Sequence, residues 1–313
     1  MPLFSIVIPT FNRANLLRES LASIKAQKFH DFETIVVDDG SGEDIEAVTR
    51  TSELPVRYLP LTNSGQGAAR NFGIAAAQGD YITFLDSDDF WFPWTLETFA
   101  EVIRNTGAPA WVMGSAVEFH SPKELQDIRW TSPNYDQHKD YLASAAVDAW
   151  IPGCGVAVKR TAIEMAGGFT GRRINGEDSD LWIRLGEAPG FVHLRTPYTL
   201  AYRTHPDSAV ASMQKLWGGM QHLVAQERSG SYPGGKMRQL ERWRIVTRHT
   251  RAASRSLLSA GWSREARLLY WDTFRWNCRL GRWKYLLGFW TGLWLSPSLI
   301  STSNIGDRQG AGK

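Results

Sequence analysis

The sequence predicts an α/β fold with a mostly parallel central sheet flanked by helices, followed by a helical, basic C-terminal extension. Apolar runs of strand length alternate with amphipathic stretches between residues 4 and 85, the pattern of strand–helix–strand units. Polar clusters follow those runs, where open parallel sheets bind their ligands. The helical spacing that sets in near residue 213 comes with a change of charge. Residues 236–313 hold fifteen Lys/Arg against four Asp/Glu, so that stretch is +11 while residues 1–235 are −8. The 313 residues are 43% apolar, ample for a full core.

Residues 4–8 form the first apolar strand, ended by Pro9-Thr-Phe-Asn12. Leu16, Leu17, Leu21 and Ile24 recur at helical spacing across residues 14–27. A second strand over 32–37 stops at Asp38-Asp-Gly-Ser41, a third covers 56–59, an alanine-rich helix 66–77, and a fourth strand 81–85. A helix follows over 94–105, a strand over 156–159, and a strand running into a loop over 198–208. Residues 119–140 are polar and irregular. The first residues read as a strand rather than as a cleaved leader, and Cys154 and Cys278 are too few and too far apart for a disulfide framework, so a cytoplasmic compartment is expected.

The fourth strand runs straight into Asp86, Ser87, Asp88 and Asp89. Clustered carboxylates are tolerable when solvated, when capping a helix, or when neutralised by a cation. Hard oxygen donors suit Mg²⁺ or Mn²⁺, and a metal with open positions can hold a diphosphate. A helix N-cap explains one acidic turn. It does not explain why successive strand ends carry polar clusters, which favours the metal.

Taken together, Ser5-Ile-Val-Ile-Pro-Thr-Phe-Asn-Arg13, Val36-Val-Asp-Asp-Gly-Ser41, Asn63-Ser-Gly65 with Ala68-Ala-Arg-Asn71, and Phe84-Leu-Asp-Ser-Asp-Asp89 resemble family 2 glycosyltransferases. The resemblance covers residues 2–207 and implies a Rossmann-like GT-A fold, with a nucleotide-sugar half over about 1–90 and an acceptor half over about 91–212. Matched residue by residue, it implies that Pro9 and Thr10 line a base pocket and that Asp39 accepts from a uracil imide. Arg70 would lie near base or diphosphate, Asp86 near the ribose, and Asp88 on the metal. Asn12, Arg13, Asn63, Gly65 and Ser87 complete the donor side. The chemistry agrees with these residue types, since a carboxylate reads an imide edge and a diphosphate leaving group needs a cation.

A second acidic centre, Gly176-Glu-Asp-Ser-Asp-Leu-Trp-Ile-Arg184, opens an apparent helix. Acidic residues in a first turn complement the helix dipole. Inverting sugar transfer also needs a base for the acceptor hydroxyl, and Asp178 matches the family's base. Trp150, Gly153, Glu177, Asp180, Trp182 and Arg203 are expected on the acceptor side. His205 resembles the family's metal- or diphosphate-binding histidine, and an imidazole ligand favours Mn²⁺ over Mg²⁺. Gln239-Leu-Glu-Arg242-Trp243 has the Gln-x-x-Arg-Trp spacing of processive members, but a membrane-spanning synthase is disfavoured because the most apolar run, before Pro297, is shorter than the ~20 residues that span a bilayer.

The stretch Lys284-Tyr-Leu-Leu-Gly-Phe-Trp-Thr-Gly-Leu-Trp-Leu-Ser-Pro297 is shorter than the ~20 residues that span a bilayer. Among arginines and tryptophans it predicts a membrane-surface segment over 282–300, with Trp283, Phe289, Trp290 and Trp294 inserted into an anionic surface; a helix packed on its neighbours is the alternative. The expected protein is peripheral at the cytoplasmic face of a membrane. A nucleotidyltransferase would share the acidic site but usually carries a glycine-rich, lysine-containing loop after the first strand, where Pro9-Thr-Phe-Asn-Arg13 has no glycine. Nucleic acid is a further partner for a basic, tryptophan-rich tail, but no recognisable binding motif accompanies it, and none is expected to bind.

Overall fold

The computed structural model describes residues 1–147, 153–204 and 212–291. It opens with β1 (Phe4–Thr10), α1 (Ala14–Lys25), β2 (Phe32–Asp38), α2 (Ile45–Arg50), β3 (Val56–Pro60), α3 (Gln66–Ala76) and β4 (Tyr81–Phe84). Every residue of β1 is buried, as expected of a central strand covered on both faces. Helix α2, absent from the sequence expectation, is only six residues long and too short to show a period; Asp44 caps it by accepting from the Ala47 N–H at 2.9 Å.

The second half contains β5 (Phe90–Trp91), α4 (Thr95–Asn105), β6 (Trp111–Phe119), β7 (Asn134–His138), β8 (Val156–Lys159), α5 (Arg160–Met165), α6 (Glu177–Arg184) and β9 (Phe191–Arg203). The strands form one sheet in the order β3-β2-β1-β4-β8-β6-β9-β5, with β7 also on β9. Strands β1 to β4 run parallel, as do β6 and β9, while β5, β7 and β8 run against their neighbours. The mostly parallel sheet is therefore as expected, with its reversed strands confined to the second half.

Alternation along β1 divides the core. Ile6 and Ile8 point to a layer made by α1, α2 and α4, including Leu21, Val48 and Phe99. Val7 points to the opposite layer, which α3 approaches closely: a Cβ on Gly73 would sit 2.4 Å from Val7. That second layer continues through Trp182 of α6 into α7 (Met213–Ser229), α8 (Gln239–Ser259), α9 (Ser263–Arg279) and α10 (Trp283–Thr291). Leu223, Trp243, Leu257 and Phe289 belong to it, so the basic tail and the sheet share one hydrophobic cluster. The tail also buries an ion pair, Arg242 donating to Glu227 at 2.6 and 3.2 Å. None of the described helices is long and apolar enough to cross a membrane.

Candidate active site

The ends of β1, β2 and β4 and the start of α6 converge on a cleft of about 670 Å³. Pro9 and Thr10 stand at the end of β1, and buried Thr10 Oγ1 has no hydrogen-bond partner among the described residues. Asp39 faces the same space, but both carboxylate oxygens accept from the next loop, from the Ser64 N–H at 2.6 Å and the Gly65 N–H at 2.8 Å. That loop needs glycine at its join to α3, where Gly65 has φ +94°. Asn63 and Gly65 line the cleft. Asn12 does not: its Oδ1 accepts from the Gly42 N–H at 2.8 Å and its N–H donates to Ser41 Oγ at 2.8 Å, so it braces two loops behind the wall.

Arg70 sits at the centre, almost fully buried, with Nη2 on Asp86 at 2.8 Å and Nη1 on Glu177 at 2.9 Å. Its guanidinium lies over the rings of Phe169 at 5.2 Å and Phe84 at 6.0 Å. Burial acts to lower its pKa, but Asp86 and Glu177 outweigh burial and hold it firmly protonated. It ties β4 to α6. Beside it, Asp178 lines the cleft with its carboxyl pushed up to about 7, first by burial and then by Glu177. The Ser179 N–H donates to Asp178 Oδ1 at 2.6 Å. A Cβ on Gly153 would lie 3.1 Å from Asp178 Oδ2 and 3.2 Å from Arg70 Nη2, so the backbone passes as close to this pair as glycine permits.

In the acidic turn, Asp88 forms an ion pair with Arg13, and Ser87 lines the cleft between Asp86 and Asp88. Asp89 is buried and faces inward, accepting from the Arg203 N–H at 2.8 Å and from Cys154 Sγ at 3.1 Å. Burial, then Asp86 and Asp88, push its carboxyl well above the usual carboxylate range. Burial also pushes the Cys154 thiol up, so it remains a donor to Asp89. Ligand atoms of Asp86, Asp89 and Cys154 all lie within 4.8 Å of one another. Asp86 and Asp88 are the partly exposed carboxylates of the turn, hard oxygen donors of the kind a divalent cation takes. Each is already paired with an arginine, Asp86 with Arg70 and Asp88 with Arg13.

Two residues expected on the acceptor side, Trp182 and Asp180, lie away from the cleft. Trp182 is fully buried and stacks on Trp111 at 5.1 Å, so it is core. Asp180 is buried on the far side of α6, where His222, Tyr232 and Arg184 hydrogen-bond its carboxylate. Arg203 lines the cleft, but Nε donates to the Asp88 carbonyl at 2.8 Å and Nη2 to Glu19 at 2.6 Å, which makes it a clamp on the acidic turn. Trp150 and His205 lie outside the described residues.

The cleft has a wall that motif spacing missed. Arg172, Arg173 and Lys215 line it, as do His249 and Ser256 of α8. Helix α7 reaches the site because Gly219 packs on the loop before α6, where a Cβ would fall 1.7 Å from the Asn175 carbonyl oxygen. The small-residue face Ala252, Ala253 and Ser256 leaves room there. A helical repeat reveals an apolar stripe but not what the stripe will face, so only the small residues hinted at a cavity.

Comparisons with known proteins agree with this architecture. The family model "Glycosyl transferase family 2" matches residues 5–164, just over half of the chain. A beta-1,3-glucosyltransferase of Campylobacter jejuni, named for GalNAc(5)-diNAcBac-PP-undecaprenol, is 37% identical over 203 residues, 61% of this chain and 62% of that one. An uncharacterised glycosyltransferase of Rickettsia felis is 26% identical over 239 residues, covering 72% of this chain but 39% of its own length. The chain thus spans well under two thirds of that relative. Staphylococcus aureus TarS, solved with UDP-GlcNAc, has the same fold at TM-score 0.66 and 16% identity, covering 86% of this chain and 79% of that chain. The chain belongs to glycosyltransferase family 2.

Proposed function

We propose that the protein is an inverting, metal-dependent glycosyltransferase that moves a sugar from a UDP-sugar to a hydroxyl of a glycan or lipid-linked acceptor in cell-envelope polysaccharide synthesis. The observation that carries this reading is the place of Asp178, a carboxyl inside the cleft and beside the Arg70–Asp86 pair, pushed up to about 7 by burial and by Glu177. Its deprotonated form takes the proton from the acceptor hydroxyl as that oxygen bonds to the anomeric carbon. The bond from that carbon to UDP breaks on the opposite face, and UDP leaves with the electron pair. A base near neutrality is matched to the working pH.

TarS, which shares the fold, was solved with UDP-GlcNAc, which supports UDP as the nucleotide of the donor. Thr10 Oγ1 and the exposed ring of Phe11 offer a hydrogen-bonding and a stacking contact for the base. Asp39 acts on the base pocket by holding the 63–65 loop, and each of its oxygens keeps a second lone pair for an imide N–H. Asp88, with Asp86, would hold Mn²⁺ or Mg²⁺, which when bound neutralises the charge on the departing diphosphate. Arg172, Arg173 and Lys215 add positive charge to the outer wall.

The test is a thermal-shift panel of nucleotide sugars with and without Mn²⁺, followed by transfer assays on Asp178→Asn and Asp88→Ala. A ligand of the folded state raises the melting temperature. Asp178→Asn should keep the donor-induced shift and lose transfer by ~10²–10⁴, and Asp88→Ala should lose the metal-dependent part of the shift. Full transfer by Asp178→Asn, or unchanged wild-type activity in excess chelator, removes the corresponding part of the proposal.

A further inference from the structure

Helices α9 and α10 turn a basic, aromatic face to solvent. The buried side of α9 carries Ala266, Leu269, Tyr270 and Thr273, while Arg267, Leu268, Trp271, Phe274 and Arg275 are exposed. In α10, Tyr285, Leu286 and Phe289 point inward, and Trp283, Lys284, Leu287 and Trp290 point outward. The exposures are large for such residues: 70% for Leu287, 58% for Trp271 and Trp283, and 52% for Trp290. The two helices make one surface, because Trp271 lies 6.0 Å from Trp290 and 5.3 Å from Phe274. Contiguous exposed aromatics of this kind mark an interaction surface.

The charge on this surface selects the occupant. Residues 263–291 hold six Arg/Lys and two Asp/Glu, a net +4, and one of the acids, Asp272, is engaged by Arg228 at 2.8 Å. Tryptophan rings among arginines match the depth at which a bilayer offers both headgroups and acyl chains. A second copy would bring +4 against +4, so self-association across this face is opposed by charge.

We propose that the exposed α9–α10 face seats the protein in the plane of an anionic lipid surface, with Trp271, Trp290 and Leu287 at the acyl boundary and the surrounding arginines on lipid phosphates. The proposal rests on the transferase reading for the acceptor that it would bring to the cleft. It revises the expectation from sequence, since Phe289 is buried, stacks on Tyr270 at 4.5 Å, and supports the face from behind. Trp294 lies outside the described residues.

The experiment is flotation of the full-length chain with vesicles of phosphatidylcholine alone and of phosphatidylcholine mixed with phosphatidylglycerol. The wild type should float with the mixed vesicles and stay behind with the neutral ones. The Arg264→Gln/Arg267→Gln/Arg275→Gln variant should lose about a hundredfold in partitioning, the loss expected of three basic side chains leaving an anionic surface. Trp271→Ser/Trp290→Ser should lose about tenfold or more and show less residual binding in high salt, because the apolar contribution is not screened. Both variants should keep the wild-type melting temperature and UDP affinity. The proposal is overturned if the wild type ignores anionic vesicles or if both variants float normally. It is equally overturned if the tryptophan variant converts a dimer to a monomer, or if deleting residues 292–313 abolishes binding that the helix variants retain. Failure of UDP-sugar binding with flotation intact would instead count against the transferase reading alone.

Discussion

The carboxylate of Asp180 accepts a hydrogen bond from His222 Nε2 at 3.1 Å, which fastens the helix carrying Asp178 to the first helix of the tail. Tyr232 donates to the same oxygen at 2.9 Å, and Arg184 holds the other at 2.8 Å. Burial acts to raise the Asp180 pKa, but these donors outweigh it and the carboxyl stays below its ordinary range. The charge is thus fixed two residues from the proposed base, on the opposite face of one helix.

His222 and Tyr232 are accordingly positioning residues. His222→Leu should cost about 1–3 kcal/mol of stability by removing a partner from a buried carboxylate. It should also lower kcat by about tenfold to a hundredfold while leaving the donor KM unchanged, because the base is misplaced and the nucleotide half is not. His222→Gln, which can still donate, should restore most of both. Equal effects on kcat and KM, or no rescue by glutamine, would reduce His222 to general packing.

The Asp178 carboxyl gives a pH dependence with a definite sign. Its folded pKa of about 7 lies above the ~3.9 of an unfolded aspartate, so the folded state binds the extra proton and loses stability as pH rises between those values. Activity runs the other way, since the base must be deprotonated: log kcat/KM should climb with pH and level off above about 7. Asp178→Asn should therefore melt higher than the wild type at pH above 7, by an amount that vanishes towards pH 4, while transfer is lost. A wild type that melts highest at alkaline pH would contradict the assignment.

The donor half was legible in sequence because each functional group sits at the end of an apolar run, and a parallel sheet brings such ends to one edge. Pro9, Thr10, Asp39, Asp86 and Asp88 all reach the cleft for that reason, and Asp178 reaches it from the first turn of α6. What spacing could not give was direction around α6. Asp178 and Asp180 are two residues apart and so fall on different faces, one in the cleft and the other against His222. Nor could it reveal that Arg70 is a buried strut, because its partner Glu177 is distant in sequence and the burial is created by tertiary packing. The tail wall was hidden for the same physical reason.

Replacing that strut should be severe. Arg70→Met would leave Asp86 and Glu177 without their shared cation in a buried setting, a loss of about 3–5 kcal/mol. Arg70→Lys should recover only part of this, because an ammonium cannot present two forked donors to carboxylates on different elements. Denaturant melts check the order, wild type above lysine above methionine. A lysine variant as stable as the wild type would show that the fork geometry is not needed.

The tail should prove inseparable from the sheet. Cutting the chain before residue 236 removes Trp243, Ile245, Val246 and Leu257, all fully or almost fully buried in the layer that also covers Val7 and Phe84. It strips Arg242 from buried Glu227, whose carboxyl burial already pushes upward, and Arg238 from Asp140, which it engages at 2.7 and 2.9 Å. Removing one partner of a buried pair costs about 3–5 kcal/mol, and each large side chain lost from the core about 2–5. Together these exceed the 5–15 kcal/mol by which domains are usually stable. Residues 1–235 alone should aggregate or melt without a cooperative transition, whereas a chain ending after residue 291 should unfold cooperatively and keep UDP affinity. Circular dichroism melts and size-exclusion profiles decide it: a monomeric, cooperatively melting 1–235 fragment that still binds UDP would show that the shared cluster does not couple the two parts.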